Sequence, residues 1–589
     1  MKKFLSLVLA LVMAMSLVTV SAGAKDFNDS EKLSGEVYEE AVNVMSEMGI
    51  IDGYADGSFQ PQGTLTRGAA AKIIACMMLG KTTAEALGTQ AAPFKDVPVG
   101  STFAGYIAYC SESGIIDGYS DGTFRPGNTL TGFAFLKMLL TALGYDSAIE
   151  GYANNPNWTV NVAGRAKQVG LLDGNDNFVG TRAATREEAC LYAVNALQAT
   201  LVEYESKGTS ITINGTVIAQ GASKPTYVTS NIHDAATSIN DTTDNEKNGW
   251  TVEFAEKYQP DLALKDTTDA FGRPAHTWTW KKAEIGTYVD FDKMVAEYTT
   301  EVTGKDLYDL LGKTTIDDNT VLVYVDGETE KNILGDAYFT AGQMIKANTD
   351  AVGETGNGVL TQVFLDTEDD EITVAVINTY VATADRDYDS KKEEVTFSIW
   401  GVTDAGKNQF VKDTTDTSEN LVASIEDFDV EDVEKDDLYL VTIAEGAIQT
   451  LEQPEVISDT EITAFKQGSN LTTGGTKYSF ADSACYDGEA LEVYTSEDGA
   501  TINLKDTTYN VILDPYGYVI GVEEIDPAEN WVFVTGYDLN SSNLTNKTAD
   551  FGAIFLDGTM KTIKVDTKKS DELMTAISSA KAYNVNTWC

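Results

Sequence analysis

The chain has 589 residues, 43% of them hydrophobic and 10% aromatic, which is an ordinary globular composition. Its formal charge is −49, spread unevenly: about −10 over residues 25–205 and about −41 over residues 206–589. A surface this acidic repels nucleic acid and anionic lipid and keeps crowded copies soluble, so neither DNA nor RNA is an expected partner. Length points to three to five domains. The five cysteines (Cys76, Cys110, Cys190, Cys485, Cys589) form no C-x-x-C pair, and only two histidines are present, His233 and His276. Neither a zinc site nor a disulfide framework is signalled, and most catalytic schemes lose their usual base.

The first segment reads as a presequence. Met1-Lys2-Lys3 precedes an apolar run from Phe4 to Val20 and the small residues Ala22-Gly23-Ala24. A cationic start, an apolar core and an A-x-A ending make a secretory signal peptide over residues 1–24. No other segment approaches a membrane span, so no membrane association is expected after cleavage.

An internal repeat follows. Residues 49–66 run G-I-I-D-G-Y-A-D-G-S-F-Q-P-Q-G-T-L-T, and residues 114–131 run G-I-I-D-G-Y-S-D-G-T-F-R-P-G-N-T-L-T without a gap. A third copy starts G-L-L-D-G-N at Gly170 and ends at Ala184-Thr185-Arg186. Each copy has the same physical layout. Apolar residues at helical spacing (Val37, Ala41, Met45 and Met48 in the first) lead to a glycine suited to a left-handed helix end. A Gly- and Asp-rich turn then leads to a threonine placed to cap the next helix, and Thr185 with Glu188 forms a T-x-x-E capping box. No single unit is large enough to bury its own apolar face, so three should share one core.

These residues resemble the S-layer homology (SLH) repeat of bacterial envelope proteins, as do Phe27-Asn28-Asp29 and Phe94-Lys95-Asp96-Val97 at the openings of the first two copies. The resemblance divides residues 25–205 into repeats over 25–85, 86–148 and 149–205. It implies an α-helical, pseudo-threefold module, exported to the cell surface, that binds secondary cell-wall polysaccharide, often pyruvylated. The family's Thr-Arg motif falls on Thr66-Arg67 and Thr185-Arg186, whereas the second copy reads Thr131-Gly132-Phe133. At most two anion pockets are therefore expected. An arginine fork holds a carboxylate bidentately, and a helix start beside it adds N–H donors. Asp29, Asp96 and, in the divergent third opening, Trp158 are further family positions. Both arginines are expected on the surface, where truncation would leave the fold and its thermal stability nearly untouched.

The Asp-Gly turns at 52–57 and 117–122 superficially resemble calcium loops. An EF-hand needs ligands at its third and twelfth positions, and here those are Tyr54 and Gly63, then Tyr119 and Asn128. No cofactor is expected. Calcium-assisted ordering of an acidic surface layer stays open without a defined motif.

Past Glu205 the pattern turns to short alternating runs broken by Asp, Gly, Asn and Thr: a hairpin around Asn214-Gly215, a strand at 321–325, a pair at 362–377 folded about 367–370, and a pair within 510–522. Several β-rich domains, sandwiches or small barrels, are expected over 206–300, 301–455 and 456–589. Helical patches are expected at 291–298 and 305–311. No nucleophile elbow, H-E-x-x-H, phosphate loop or dinucleotide fingerprint occurs. The reading that results is a non-enzymatic surface-layer or wall-coat protein, with self-association as a further partner. Alternatives are a tethered adhesin or glycan-binding protein, and then a wall-tethered hydrolase.

Overall fold

The computed structural model describes residues 27–89, 94–153, 155–213, 216–230, 239, 250–329, 339–353, 355–401, 421–425, 427–486, 489–490, 503–505, 508–525, 532–539, 548–555, 558–566 and 587–588. The presequence, the Asn214-Gly215 turn and Cys589 lie outside them.

Six helices organise the first third: α1 (Glu36–Glu47), α2 (Arg67–Leu79), α3 (Ala104–Glu112), α4 (Gly132–Ala142), α5 (Trp158–Gln168) and α6 (Arg186–Gln198). The first helix of each pair stops the same way. Gly49, Gly114 and Gly170 take φ of 67°, 70° and 76°. The next N–H, of Ile50, Ile115 or Leu171, then bonds back at 2.9 Å to the carbonyl of Met45, Cys110 or Ala166. This is the Schellman ending that a left-handed glycine permits. The second helix of each pair starts on a threonine: Thr66, Thr131 and Thr185 accept from the N–H groups of Ala69, Ala134 and Glu188 at 3.2, 3.3 and 3.3 Å. The third start has the full capping box.

The residues before these starts close a ring. Leu65 N–H donates to Ala184 O at 2.8 Å, Ala184 N–H to Leu130 O at 2.9 Å, and Leu130 N–H to Leu65 O at 2.8 Å. Around it one core buries Met45, Phe59, Ile74, Phe135, Leu139 and Tyr192, together with Cys76, Cys110 and Cys190. Each large side chain so buried contributes about 1.5–3 kcal/mol. No copy could collect that alone.

The core does not end at residue 206. Phe254, Leu262, Trp278 and Ile285 belong to the same cluster as the helices. They lie on or just before an antiparallel sheet of Leu262–Thr268, Pro274–Trp280 and Ala283–Val289, in which Leu264 pairs with Trp278 and Trp278 with Gly286. Gln259 Nε2 caps the end of α2, donating to Cys76 O at 3.0 Å and Met77 O at 2.6 Å. The Trp278 indole N–H donates to Glu40 on α1 at 2.6 Å. The separate β-rich domain expected over 206–300 is thus corrected: its second half completes the helical core, because Trp278, fully buried, has nowhere else to pack.

Beyond 290 the chain is β-rich. Met294–Tyr298, Leu360–Asp366, Glu371–Ile377 and Thr320–Val325 form a four-stranded sheet in that order, with the last pair parallel. The helix expected across 291–298 is therefore a 3₁₀ turn at Phe291–Lys293 followed by an edge strand, while Gly304–Leu311 is helical as expected. Pairing with Leu360–Asp366 decides the first patch, and it moves the boundary expected at 300 back to about 290. A five-stranded sheet spans 380–452 with its own core. The region 301–455 thus holds two cores rather than one. In the next sheet, Asn470–Thr473 pairs with both Glu455–Lys466 and Thr476–Tyr486, bending the strands into a barrel-like ring. Val381 and Leu440 meet Ile512 and Ile520 between this sheet and the preceding one. A final antiparallel sheet contains Val532–Leu539, Thr548–Phe555 and Met560–Asp566. Among the described residues no helix is long and apolar enough to cross a membrane.

Candidate wall-binding grooves

The ring of backbone bonds sends each second helix of a pair into the loop of a different copy. The start of α2 meets the loop of the second copy: Arg67 N–H donates to Asn128 O at 2.9 Å and Gly68 N–H to Pro126 O at 2.9 Å. The start of α6 meets the first copy in the same way, through Gly63 O and Pro61 O. The start of α4 meets the third, through Arg182 O and Gly180 O.

Arg67 Nε donates to Phe124 O at 2.8 Å and its Nη2 to Asp117 O at 3.1 Å. The guanidinium carbon sits 4.4 Å from the Phe124 ring centre and 5.1 Å from that of Tyr119. Arg186 repeats the geometry in the first loop, with Nε to Phe59 O and Nη2 to Asp52 O, both at 2.8 Å, over Phe59 at 4.6 Å and Tyr54 at 4.9 Å. In both, Nη1 has no partner among the described residues. Tyr54 and Tyr119 are 47% and 40% exposed, and in the second groove Arg125 also lies over Tyr119, its guanidinium carbon 4.0 Å from the ring centre. The expectation of free surface arginines needs correcting. Both are half-buried and hold the loop of another copy in place.

Asp29 and Asp96 act one layer deeper. Asp29 accepts from the N–H groups of Phe59 (2.6 Å) and Gln60 (2.9 Å), and Asp96 accepts from those of Phe124 and Arg125, both at 2.7 Å. Gln60 and Arg125 sit in the left-handed region at φ of 58° and 59°, and the carboxylates stabilise that strained turn. Burial works to raise the Asp96 carboxyl, yet the two N–H bonds leave it below its ordinary value. Asp56 and Asp121 make the preceding turn, each accepting from the N–H and hydroxyl two residues on. Among the described residues no group of three His, Cys, Asp or Glu side chains is arranged to hold a metal.

The third groove is built differently. Gly132 stands where the arginine would be, and a Cβ there would come within 3.0 Å of the Phe178 ring. Phe133 instead packs edge-on against Phe178 at 5.5 Å and Trp158 at 6.4 Å. Trp158, the first residue of α5, thus belongs to an aromatic plug rather than to an arginine pocket. Thr66 and Thr185 cap their helices through Oγ and lie beside, not inside, the guanidinium seats. The aromatic seats Phe59, Phe124, Tyr54 and Tyr119 were visible in the repeated D-G-Y-x-D-G-x-F signature, but nothing in the linear order assigns them to an arginine of another copy.

A family model described as the S-layer homology domain matches residues 26–71 and 93–136, the two copies with complete Asp-Gly turns. The chain therefore carries S-layer homology repeats over those residues. It is 27% identical over 218 residues to a surface layer protein of Brevibacillus choshinensis, covering 37% of this chain and 18% of that one. A middle cell wall protein of Brevibacillus brevis is 25% identical over 213 residues, covering 36% and 19%. A cellulosome-anchoring protein of Acetivibrio thermocellus is 36% identical over 81 residues, covering 14% and 18%. The chain spans about a fifth of the length of these relatives. With its SLH repeats it is a secreted protein of the bacterial cell surface and wall.

Proposed function

We propose that residues 27 to about 290 form a pseudo-threefold anchor that holds the protein non-covalently to an anionic secondary cell-wall polysaccharide, a pyruvate ketal being the fitting group. Arg67 and Arg186 are the residues that would bind it. The observation that carries this reading is the matched pair of guanidinium groups, each fixed by two backbone carbonyls and two aromatic rings with Nη1 left over. A carboxylate there meets a cation that is already oriented, so little side-chain entropy is lost on binding. Exposed Tyr54 gives a sugar ring a flat apolar surface in the first groove, while in the second Arg125 already stacks on Tyr119. Thr66, Thr185, Asp29 and Asp96 position this machinery, and Trp158 closes the third groove. The acidic β-rich remainder is displayed outward as a non-catalytic wall coat that packs against copies of itself. Names carried by similar proteins, surface layer and cellulosome-anchoring among them, are in keeping with a structural role. The test is sedimentation of the full chain with purified walls. Binding should be retained on walls with their polysaccharide intact and lost once it is extracted. Equal binding to stripped peptidoglycan would overturn the reading.

A further inference from the structure

At the ends of three strands of the β-rich region an aspartate follows an apolar residue: Val325-Asp326, Leu365-Asp366 and Leu513-Asp514. In two of them both carboxylate oxygens are engaged. Asp326 accepts from the N–H of Asn378 at 2.8 Å, from its Nδ2 at 3.0 Å and from the Tyr380 hydroxyl at 2.7 Å. Asp366 accepts from the N–H groups of Glu368 and Asp369 on Oδ1, and its Oδ2 lies 2.7 Å from Lys293 Nζ. Asp514 differs. Its Oδ1 accepts from the N–H groups of Tyr516 and Tyr518 at 2.9 and 2.8 Å. Its Oδ2 is buried without a hydrogen-bond partner among the described residues.

That oxygen faces a junction between sheets. A Cβ added at Gly358, just before the strand Leu360–Asp366, would collide with Asp514 Oδ2 and come within 3.0 Å of Ala481 Cβ. The loop around Gly358 is pinned to the strand Thr476–Tyr486. Asp482 N–H donates to Asn357 O at 2.8 Å, and Asn357 Nδ2 to Phe480 O at 3.4 Å. Two residues past Asp514, Tyr516 packs against Phe271 of the helical unit, Leu360 and Ile377 of the four-stranded sheet, and Ala444 of the five-stranded one. One turn thus joins its own sheet to three other packing units. The charged groups facing it are acidic: Glu297 and Glu452 toward Tyr516, and Asp482 against Gly356. The other titratable groups nearby are the phenols of Tyr516 and Tyr518. Among the described residues no lysine or arginine acts on Asp514.

We propose that this contact is a pH-operated joint, closed while Asp514 carries its proton and loosened when the proton leaves to solvent. An ionised Oδ2 would meet the backbone of Gly358 and the methyl of Ala481 with no donor, and can be solvated only if the loop around Gly358 withdraws. Burial lifts the carboxyl from 3.8 to about 7 against the turn N–H bonds that would lower it. The closed joint therefore keeps a proton that the open one releases, so it weakens as pH rises from about 4 to about 7 and no further above that. The apolar contact of Val381 and Leu440 with Ile512 and Ile520 does not titrate, so the sheets hinge rather than part. The β-rich region is then stiff in mildly acidic surroundings and jointed at neutral pH. None of this rests on the anchoring reading.

The experiment is hydrogen exchange of the full chain, read by mass spectrometry from pH 4 to pH 9 and divided by the intrinsic exchange rate at each pH. The Asp482 amide, bonded across the joint to Asn357 O, is the reporter. Its protection should fall about ten- to a hundredfold between pH 5 and pH 8, then level off. Protection of Glu394–Ile399, a strand in a core of its own, should not change. Asp514→Asn keeps the shape without the titration, so its Asp482 protection should be flat with pH. Asp514→Ser, whose hydroxyl still accepts from the turn N–H groups, serves the same end if the amide variant does not fold. Unchanged protection of Asp482 from pH 5 to pH 8 in the parent would overturn the proposal. So would an equal fall in a folded Asp514 variant, or a fall shared by Glu394–Ile399.

Discussion

Replacing Arg186 by alanine should damage both stability and wall binding, and the two losses can be measured apart. The side chain makes two charged hydrogen bonds, to Phe59 O and Asp52 O, each at 2.8 Å. Bonds from a charged donor are worth about 1.5–3 kcal/mol each, but the two are coupled and the freed carbonyls can regain water. A net loss of about 2 kcal/mol is therefore expected, or about 4–8 °C in the unfolding midpoint of a unit this size. This replaces the sequence expectation of unchanged stability. The Nη1 donors add nothing to the fold, and losing them should cost wall affinity about ten- to a hundredfold. Circular dichroism melts report the first loss, and wall sedimentation at 10 °C, where the variant is still folded, reports the second. Arg186→Lys keeps the charge but not the planar fork, so it should recover little of either. A folded Arg186→Ala protein that sediments like its parent refutes the wall site. An unchanged midpoint refutes the claim that the arginine holds the first loop.

Three further outcomes are expected. A fragment of residues 25–205 should melt lower than one of residues 25–292 and should aggregate, because it exposes the surface that Phe254 and Trp278 cover; equal midpoints would show that the sheet over 262–289 is an appendage. Burial lifts the Glu253 carboxyl from 4.5 to about 7, against hydrogen bonds from Thr251 and Thr200. The folded state then holds a proton that the unfolded state releases, so stability should fall as pH rises from about 4.5 to about 7, and Glu253→Gln should flatten that slope in urea titrations. Burial alone would lower the pKa of His276, but its bonds to Asp290 and Glu40 raise it to about 10. Its contribution is thus full below about 6.5 and lost as pH rises through about 10, and NMR should find the imidazolium still protonated at pH 8.

What the sequence reveals here is mostly what is local. The glycine helix ends, the threonine caps and the Thr185–Glu188 box each depend on residues within five positions, and the structure has them all. The strand pair at 360–377 is equally local, with Asp366 opposite Glu371. Long-range closure is the part that could not be read. Trp278 finds Glu40 across 238 positions, and no periodicity at 276–280 points to a helix near the N-terminus. Met294–Tyr298 became a strand because of a partner far along the chain, which overrode a weak helical pattern. The grooves fall between these cases. Arg67 and Arg186 stood out by motif, but the loop each one holds belongs to another copy.

Charge placement gives the anchoring reading a direction. The anchor carries its cations in specific seats: Arg67 and Arg186 over aromatic rings, Lys72 and Lys81 on Asp52, and Lys137 on Asp117. Past residue 206 the net charge is about −41. An anionic wall polymer would therefore meet two short-range attractive seats on one part of the molecule and broad repulsion from the rest. Screening confines both effects to about 8 Å at physiological salt, so the attraction acts only where a groove receives the polymer directly. Repulsion acts wherever the acidic sheets come equally close. The arrangement that satisfies both lays the helical module against the wall and turns the β-rich region away from it. Closing the third groove with Phe133, Phe178 and Trp158 leaves that orientation fixed by two contacts, enough to stop rotation about a single attachment point.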